Sequence, residues 1–358
     1  MTLRPIFIGL AGMLATLALA TRPAFADDAR EPGRATLIVT STNNATANNV
    51  VVFRLDPGGQ ASLSYVMSLP TGGRGGAAGN AGSVQFHEGH GAVANFGSNS
   101  VSQLIREGDF VRIGRVIDLA AGCIGPVSVA LNKEHLFAAG ANCVESHAWP
   151  SGKLESPAIS LPDASSAQVV AGRTWAAVTM KSGSVVQLPL NGQGALNGSR
   201  AIATLPAGAN DTPLGAAFWG DLLGFNPAHS PNSFALIDSH RKVYPIVGPT
   251  PAFPNGNAPC WLAKGPGNVW YAGNTPAAAI SIFFSDGQGG AFYKSVPLPG
   301  APTDITVSPD NKWLAVIYTS ADGAHIAAYS IDDYGDLTLA ATTPSIGVSS
   351  FNGVAYSQ

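Results

Sequence analysis

The chain has 358 residues, a formal net charge of −3, and charged side chains at only 11% of positions, against roughly a quarter in ordinary globular proteins. That mild acidity excludes the basic footprint of a nucleic-acid binder. An apolar share of 46%, alongside 42 glycines and 26 prolines, excludes a disordered chain and favours many short strands joined by turns.

The first segment reads as a leader. Arg4 is a short basic start, Ile6–Ala20 is an apolar run too short for a comfortable membrane span, and Ala24-Phe25-Ala26 is a small-x-small cleavage site. A signal peptide over residues 1–26 is therefore expected, and with it a secreted or periplasmic protein cleaved near Ala26. No cysteine follows the apolar run to carry a lipid anchor. Cleavage leaves 332 of the 358 residues and, by removing Arg4 and Arg22, takes the formal charge from −3 to −5. No later run is long and apolar enough to span a bilayer.

Leu37–Ser41, Asn49–Leu55 and Ala61–Leu69 read as three strands. From Ala81 a unit then repeats: a small residue or proline, an alternating run, a turn, and a second apolar run. In its first copy the expected strands are Ser83–Phe86, Gly91–Asn95, Ser100–Arg106 and Phe110–Leu119. Further copies begin at Pro126, Ser166, Pro213, Pro259, Pro302 and Ser350, at successive spacings of 45, 40, 47, 46, 43 and 48 residues. In the copy at Pro259 the strands are expected at Cys260–Ala263, Val269–Gly273, Ala279–Phe284 and Phe292–Pro297. Ala301–Tyr318 is the best-preserved hairpin, with proline at the strand start and Pro-Asp-Asn in the turn. A period in the forties with four short strands per unit marks a β-propeller.

The two ends complement each other. Ser350–Gln358 is an inner strand with nothing after it, and the three strands from Leu37 have no inner strand before them. Joined, they complete one blade and remove an open sheet edge. The expected fold is all-β: a seven-bladed β-propeller over residues 27–358 as a single domain, with four antiparallel strands per blade and the C-terminal strand closing the ring. Cys123 and Cys143 could close a loop of about 20 residues as a disulfide. Cys260 would then be a free thiol, and three buried free thiols are the alternative.

Several stretches resemble the secreted branch of the lactonase-type seven-bladed propeller family, which includes 6-phosphogluconolactonase and carboxymuconate-cyclising enzymes. They are Leu69-Pro-Thr-Gly-Gly73, Ala94-Asn-Phe-Gly-Ser-Asn-Ser-Val-Ser102, Gly125-Pro-Val-Ser-Val129, Ala258-Pro-Cys-Trp261 and Pro302-Thr-Asp-Ile-Thr-Val-Ser-Pro-Asp310. The resemblance implies lactone chemistry at the mouth of the central channel, where the enzymes carry Arg and His at inner-strand starts. Here those positions hold Gly82-Ser83, Val127-Ser128, Ala167-Gln168, Leu214-Gly215, Cys260-Trp261, Thr303-Asp304 and Phe351-Asn352. None is Arg or His, so the family's acid/base and anion-binding positions do not carry over. A phosphorylated substrate loses most by that.

Two functions follow. The first is a non-catalytic, monomeric binding module whose partner is a protein or a small neutral or polar ligand. The second is a lactone hydrolase or cycloisomerase acting on a small sugar or muconate-type lactone. Ser83, Ser128, Gln168, Trp261 and Asn352 are the candidate ligand-binding residues, and Asp304, the one carboxylate among them, is the candidate general base. Asp304 could instead bond the backbone of neighbouring strand starts and hold the ring. No cofactor or metal motif is read: His87-Glu88-Gly89-His90 has no helix beneath it, and His87, His90 and His135 are expected in surface turns. Glu145 and His147, two apart on a strand, share a face. Gly72–Gly76 is expected to be a flexible connection, with Arg74 available to a ligand.

Overall fold

A computed structural model describes residues 35–230, 233–244 and 258–357. The expected leader and Gln358 lie outside the described residues. The strands form seven antiparallel sheets. Blade 1 pairs Asn352–Ser357 with Thr36–Ser41, followed by Asn49–Asp56 and Ser62–Pro70, so the two ends of the chain share one sheet. Blades 2 to 7 have innermost strands Val84–His87, Ser128–Leu131, Ser166–Ala171, Pro213–Trp219, Pro259–Lys264 and Ala301–Val307. Each innermost strand contacts that of the next blade, and blade 7 contacts blade 1, which closes the ring.

Alternation along the strands explains the core. In Leu314–Ile317 of blade 7, Leu314 and Val316 pack toward blade 6 while Ala315 and Ile317 pack toward blade 1. In blade 6, Val269 and Tyr271 face blade 7 while Trp270 and Ala272 face blade 5. Every blade is thus apolar on both faces, and seven buried clusters fill the seven interfaces. Each fully buried Leu, Ile or Val contributes about 1.5–3 kcal/mol.

The hairpin that carries the clearest repeat spans Ala301–Val307 and Trp313–Ser320. Its turn is held by the Ser308 hydroxyl, which bonds Asp310 at 2.5 Å and accepts the Trp313 N–H at 3.0 Å. Asn311 supplies the left-handed residue, at φ 56°.

Two blades depart from four continuous strands. In blade 3 the outer position is split into Lys153–Leu154 and Ile159–Ser160, both paired with Cys143–Ala148. The Glu155 N–H still bonds Ser146 O of that strand at 3.0 Å while its carboxylate reaches His135 at 2.7 Å, and pairing then lapses until Ile159. Blade 5 has Pro213–Trp219, Leu222–Pro227 and Ala235–Asp238, with a single bridge from Ile237 to Val243 at the fourth position. Residues 245–257 lie outside the described set. Among the described residues no helix is long and apolar enough to cross a membrane.

Candidate functional site

All innermost strands run the same way, so their starts gather at one mouth of the ring, here called the upper mouth. Five of the seven carry a β-bulge there, between Ser166 and Gln168, Pro213 and Ala216, Pro259 and Trp261, Pro302 and Asp304, and opposite Thr40/Ser41 in blade 1. A bulge sets two residues against one and re-aims a side chain. The bulges fall beside Gln168, Gly215, Trp261, Asp304 and Asn352, with Ser83 and Ser128 at the corresponding strand starts of blades 2 and 3. The sequence-predicted positions are therefore brought together, at less than 9% exposure each.

Their partners are mostly backbone groups of other blades. Ser128 Oγ accepts the Val169 N–H of blade 4 at 3.1 Å, and Gln168 Oε1 accepts the Ala216 N–H of blade 5 at 2.6 Å. Asp304 Oδ1 accepts the Ile305 N–H at 2.9 Å, and Oδ2 accepts the Gly82 N–H of blade 2 at 3.0 Å. The Val354 N–H of blade 1 also bonds this carboxylate, which thereby ties blades 7, 1 and 2 at the closure of the ring. Burial pushes the Asp304 pKa up to about 7, and the three N–H groups pull it down. A value near 7 suits a general base, but geometry comes first. Both carboxylate oxygens are occupied by backbone donors.

Residues Asn80–Gly82 fill the centre of this mouth. The Ala81 N–H donates to Ala167 O of blade 4 at 3.2 Å, and Trp261 Nε1–H of blade 6 donates to Asn80 O at 3.3 Å. The Asn80 amide donates to Val127 O of blade 3 at 2.6 Å, and the Asn352 amide of blade 1 donates to Asn80 Oδ1 at 3.3 Å. Gly82 O accepts the Val129 N–H at 2.9 Å and the Ser128 hydroxyl at 3.2 Å. Ala81 is 1% exposed and belongs to an apolar cluster with Ala167, Leu214 and Trp261. Glycine is required at 82, where φ is +65° and a Cβ would lie 3.0 Å from Gln168 Nε2. Ser83 Oγ is buried without a hydrogen-bond partner.

This plug was missed in the sequence, where Gly72–Gly76 reads as a flexible connection and Asn80 is given no role. The available signal was Gly79-Asn-Ala-Gly82, small residues suited to close approach. Arg74 is engaged with the backbone, donating from Nη2 to Gly97 O at 2.7 Å.

Away from the mouth, Cys123 and Cys143 are joined as a disulfide with Cα atoms 5.4 Å apart, and Cys260 is free. Both sulfurs and a Glu145 carboxylate oxygen lie within 4.8 Å of one another. Joined to each other, the sulfurs are not metal ligands. Glu145 and His147 do share a face, buried and bonded at 2.9 Å, and the other His147 ring nitrogen faces Gly152 O at 3.2 Å. His135, expected in a surface turn, is instead buried at a strand start, between Glu155 and Gln193 O, each at 2.7 Å.

Comparison with solved structures matches this architecture. A Lactobacillus plantarum protein superposes with a TM-score of 0.69 at 14% identity, covering 91% of this chain and 100% of its own. A Bacteroides fragilis protein described as a candidate 6-phosphogluconolactonase gives 0.68 at 13%, covering 94% and 100%. The periplasmic gluconolactonase of Pseudomonas aeruginosa gives 0.66 at 15%, covering 91% and 99%. The shared fold is the seven-bladed β-propeller. No family model matches the sequence, and no curated protein matches it significantly. Within this fold, the chain fills the upper mouth with its own backbone and ties the filling by hydrogen bonds to five other blades, 1, 3, 4, 6 and 7.

Proposed function

We propose that the chain is an exported, non-catalytic binding module: a single propeller domain over residues 27–358, released by cleavage near Ala26. The observation that carries this reading is the Asp304 carboxylate. It is 4% exposed and bonded through both oxygens to backbone N–H groups of the ring. Ser128 and Gln168 at that mouth are engaged with backbone in the same way, and the Asn352 amide is engaged with Asn80 Oδ1. A general base must reach the proton it abstracts, directly or through one water.

The competing reading is a lactone hydrolase or cycloisomerase. It draws on the fold and on the Asp304 pKa of about 7. Fold alone does not carry chemistry, because propellers host unrelated functions. The test is hydrolysis of a panel of aldonolactones, phosphorylated aldonolactones and muconolactones by the purified mature protein. The expected result is no rate above buffer. Turnover of any member would overturn the non-catalytic reading.

A further inference from the structure

We propose that the crevice between blades 6 and 7, on the face where the innermost strands end, binds a small organic cation: a protonated amine or a guanidinium. Strand direction sets the location. Pro259–Lys264 ends at the turn 265–268, and residues 332–336 join the third and fourth strands of blade 7, so both turns lie opposite the plugged mouth. Between them is a cavity of about 610 Å³, walled by Val269, Phe284, Tyr293, Tyr334, Asp333 and Asp336. That volume falls within the range of small-molecule sites.

The blade-7 side of the crevice is rigidly built. Tyr271 donates its hydroxyl to Gly335 O at 2.8 Å. Gly335 has φ +83° and lies so close to blade 6 that a Cβ would sit 2.5 Å from Val269 Cγ2. Asp332 Oδ1 accepts the Tyr334 and Asp336 N–H groups at 2.9 and 2.8 Å, fixing the turn that displays Asp333 and Tyr334.

The ligand class follows from charge and from an internal precedent. The crevice wall carries two tyrosines and two carboxylates, taken as the pairs Tyr293 with Asp336 and Tyr334 with Asp333. One pair already holds a cation: Lys294 Nζ lies 2.8 Å from Asp336 Oδ1 and 5.0 Å from the Tyr293 ring centroid. The second pair is Tyr334, 82% exposed, with Asp333, which has no ion-pair partner among the described residues. Of the two ammonium groups at this crevice, Lys294 is paired with Asp336 and Lys264 is held at the rim by Gly265 O and Gly267 O at 2.7 Å each, so Asp333 is left to accept from a ligand. A cation over an exposed tyrosine beside a carboxylate completes the arrangement that Lys294 shows.

The test uses the full mature protein with phenethylammonium and its neutral counterpart 2-phenylethanol, by titration calorimetry. The amine is expected to bind about 10-fold more tightly than the alcohol, and added salt to weaken it. Asp333→Asn and Tyr334→Ala, both at exposed positions, are expected to lower amine affinity about 5-fold or more with the unfolding transition unchanged. Equal binding of amine and alcohol, no binding of the amine at millimolar concentration, or affinity indifferent to both substitutions would each overturn the proposal. The site gains its role from the binding-module reading, yet the two fail separately. Lactone turnover overturns that reading without altering amine affinity, and loss of charge discrimination overturns the site alone.

Discussion

Replacing Asp304 tests whether this carboxylate is a structural clasp. Asp304→Ala removes the acceptor for the N–H groups of Gly82, Ile305 and Val354 in a buried setting. Each orphaned donor costs about 1–3 kcal/mol, so the three together should cost about 3–9 kcal/mol. A second signature comes from pH. The folded-state pKa of about 7 stands above the ordinary aspartate value of 3.8. The associated stability is therefore fully present below about pH 4 and lost as pH rises through about 7, a change on the order of 4 kcal/mol. Asp304→Asn carries no such dependence. Urea unfolding of wild type and Asp304→Asn at pH 5 and pH 8 should show the wild type losing stability relative to the variant by about 2–3 kcal/mol. Equal differences at the two pH values, together with an Asp304→Ala cost under about 0.5 kcal/mol, would refute the clasp.

Other expectations concern separate parts of the ring. Gly353→Ala places a Cβ 2.4 Å from Ser83 Oγ and Val84 N at φ +72°, and should cost about 2–4 kcal/mol in denaturant unfolding. Double replacement of Cys123 and Cys143 by Ser opens a 20-residue separation and should lower stability by about 3 kcal/mol. Thiol titration of the unfolded, unreduced wild type should then count one thiol per chain. Glu145→Gln removes the buried partner of His147 and should destabilise by about 3–5 kcal/mol, measured by the same unfolding assay.

Much of the fold was legible because the determinants are local and repeated. Alternation fixed the strands of blade 6 closely: Val269–Gly273 was expected and Val269–Asn274 is found. Complementary ends predicted that Ser350–Gln358 would join the blade begun by Leu37–Ser41, and Asn352–Ser357 pairs with Thr36–Ser41. The irregular outer strands of blades 3 and 5 were not foreseen, since local pattern does not reveal that the Glu155 carboxylate reaches across to His135 beside the break.

The candidate site was legible as a set of positions, because equal spacing from each strand start brings Ser83, Ser128, Gln168, Trp261 and Asp304 to one mouth. Their partners were not legible. Asp304 and Gly82 are 222 residues apart, and Trp261 reaches Asn80 across 181. Such pairings exist only once the ring has closed, and no periodicity records them. His135 misled for a related reason: its neighbours in sequence are turn-forming, but its burial comes from the hairpin of the next blade around Gln193.

The measurement that bears most directly on the upper mouth is native-state amide hydrogen exchange at Ala81 and Gly82. A plug bonded to Ala167 O and to Asp304 predicts protection of both amides close to that of the strand cores, opening only with global unfolding. In Asp304→Ala the Gly82 amide should lose that protection. Exchange of both amides at the rate of an exposed loop would contradict the account, and would reopen the mouth as a place for chemistry.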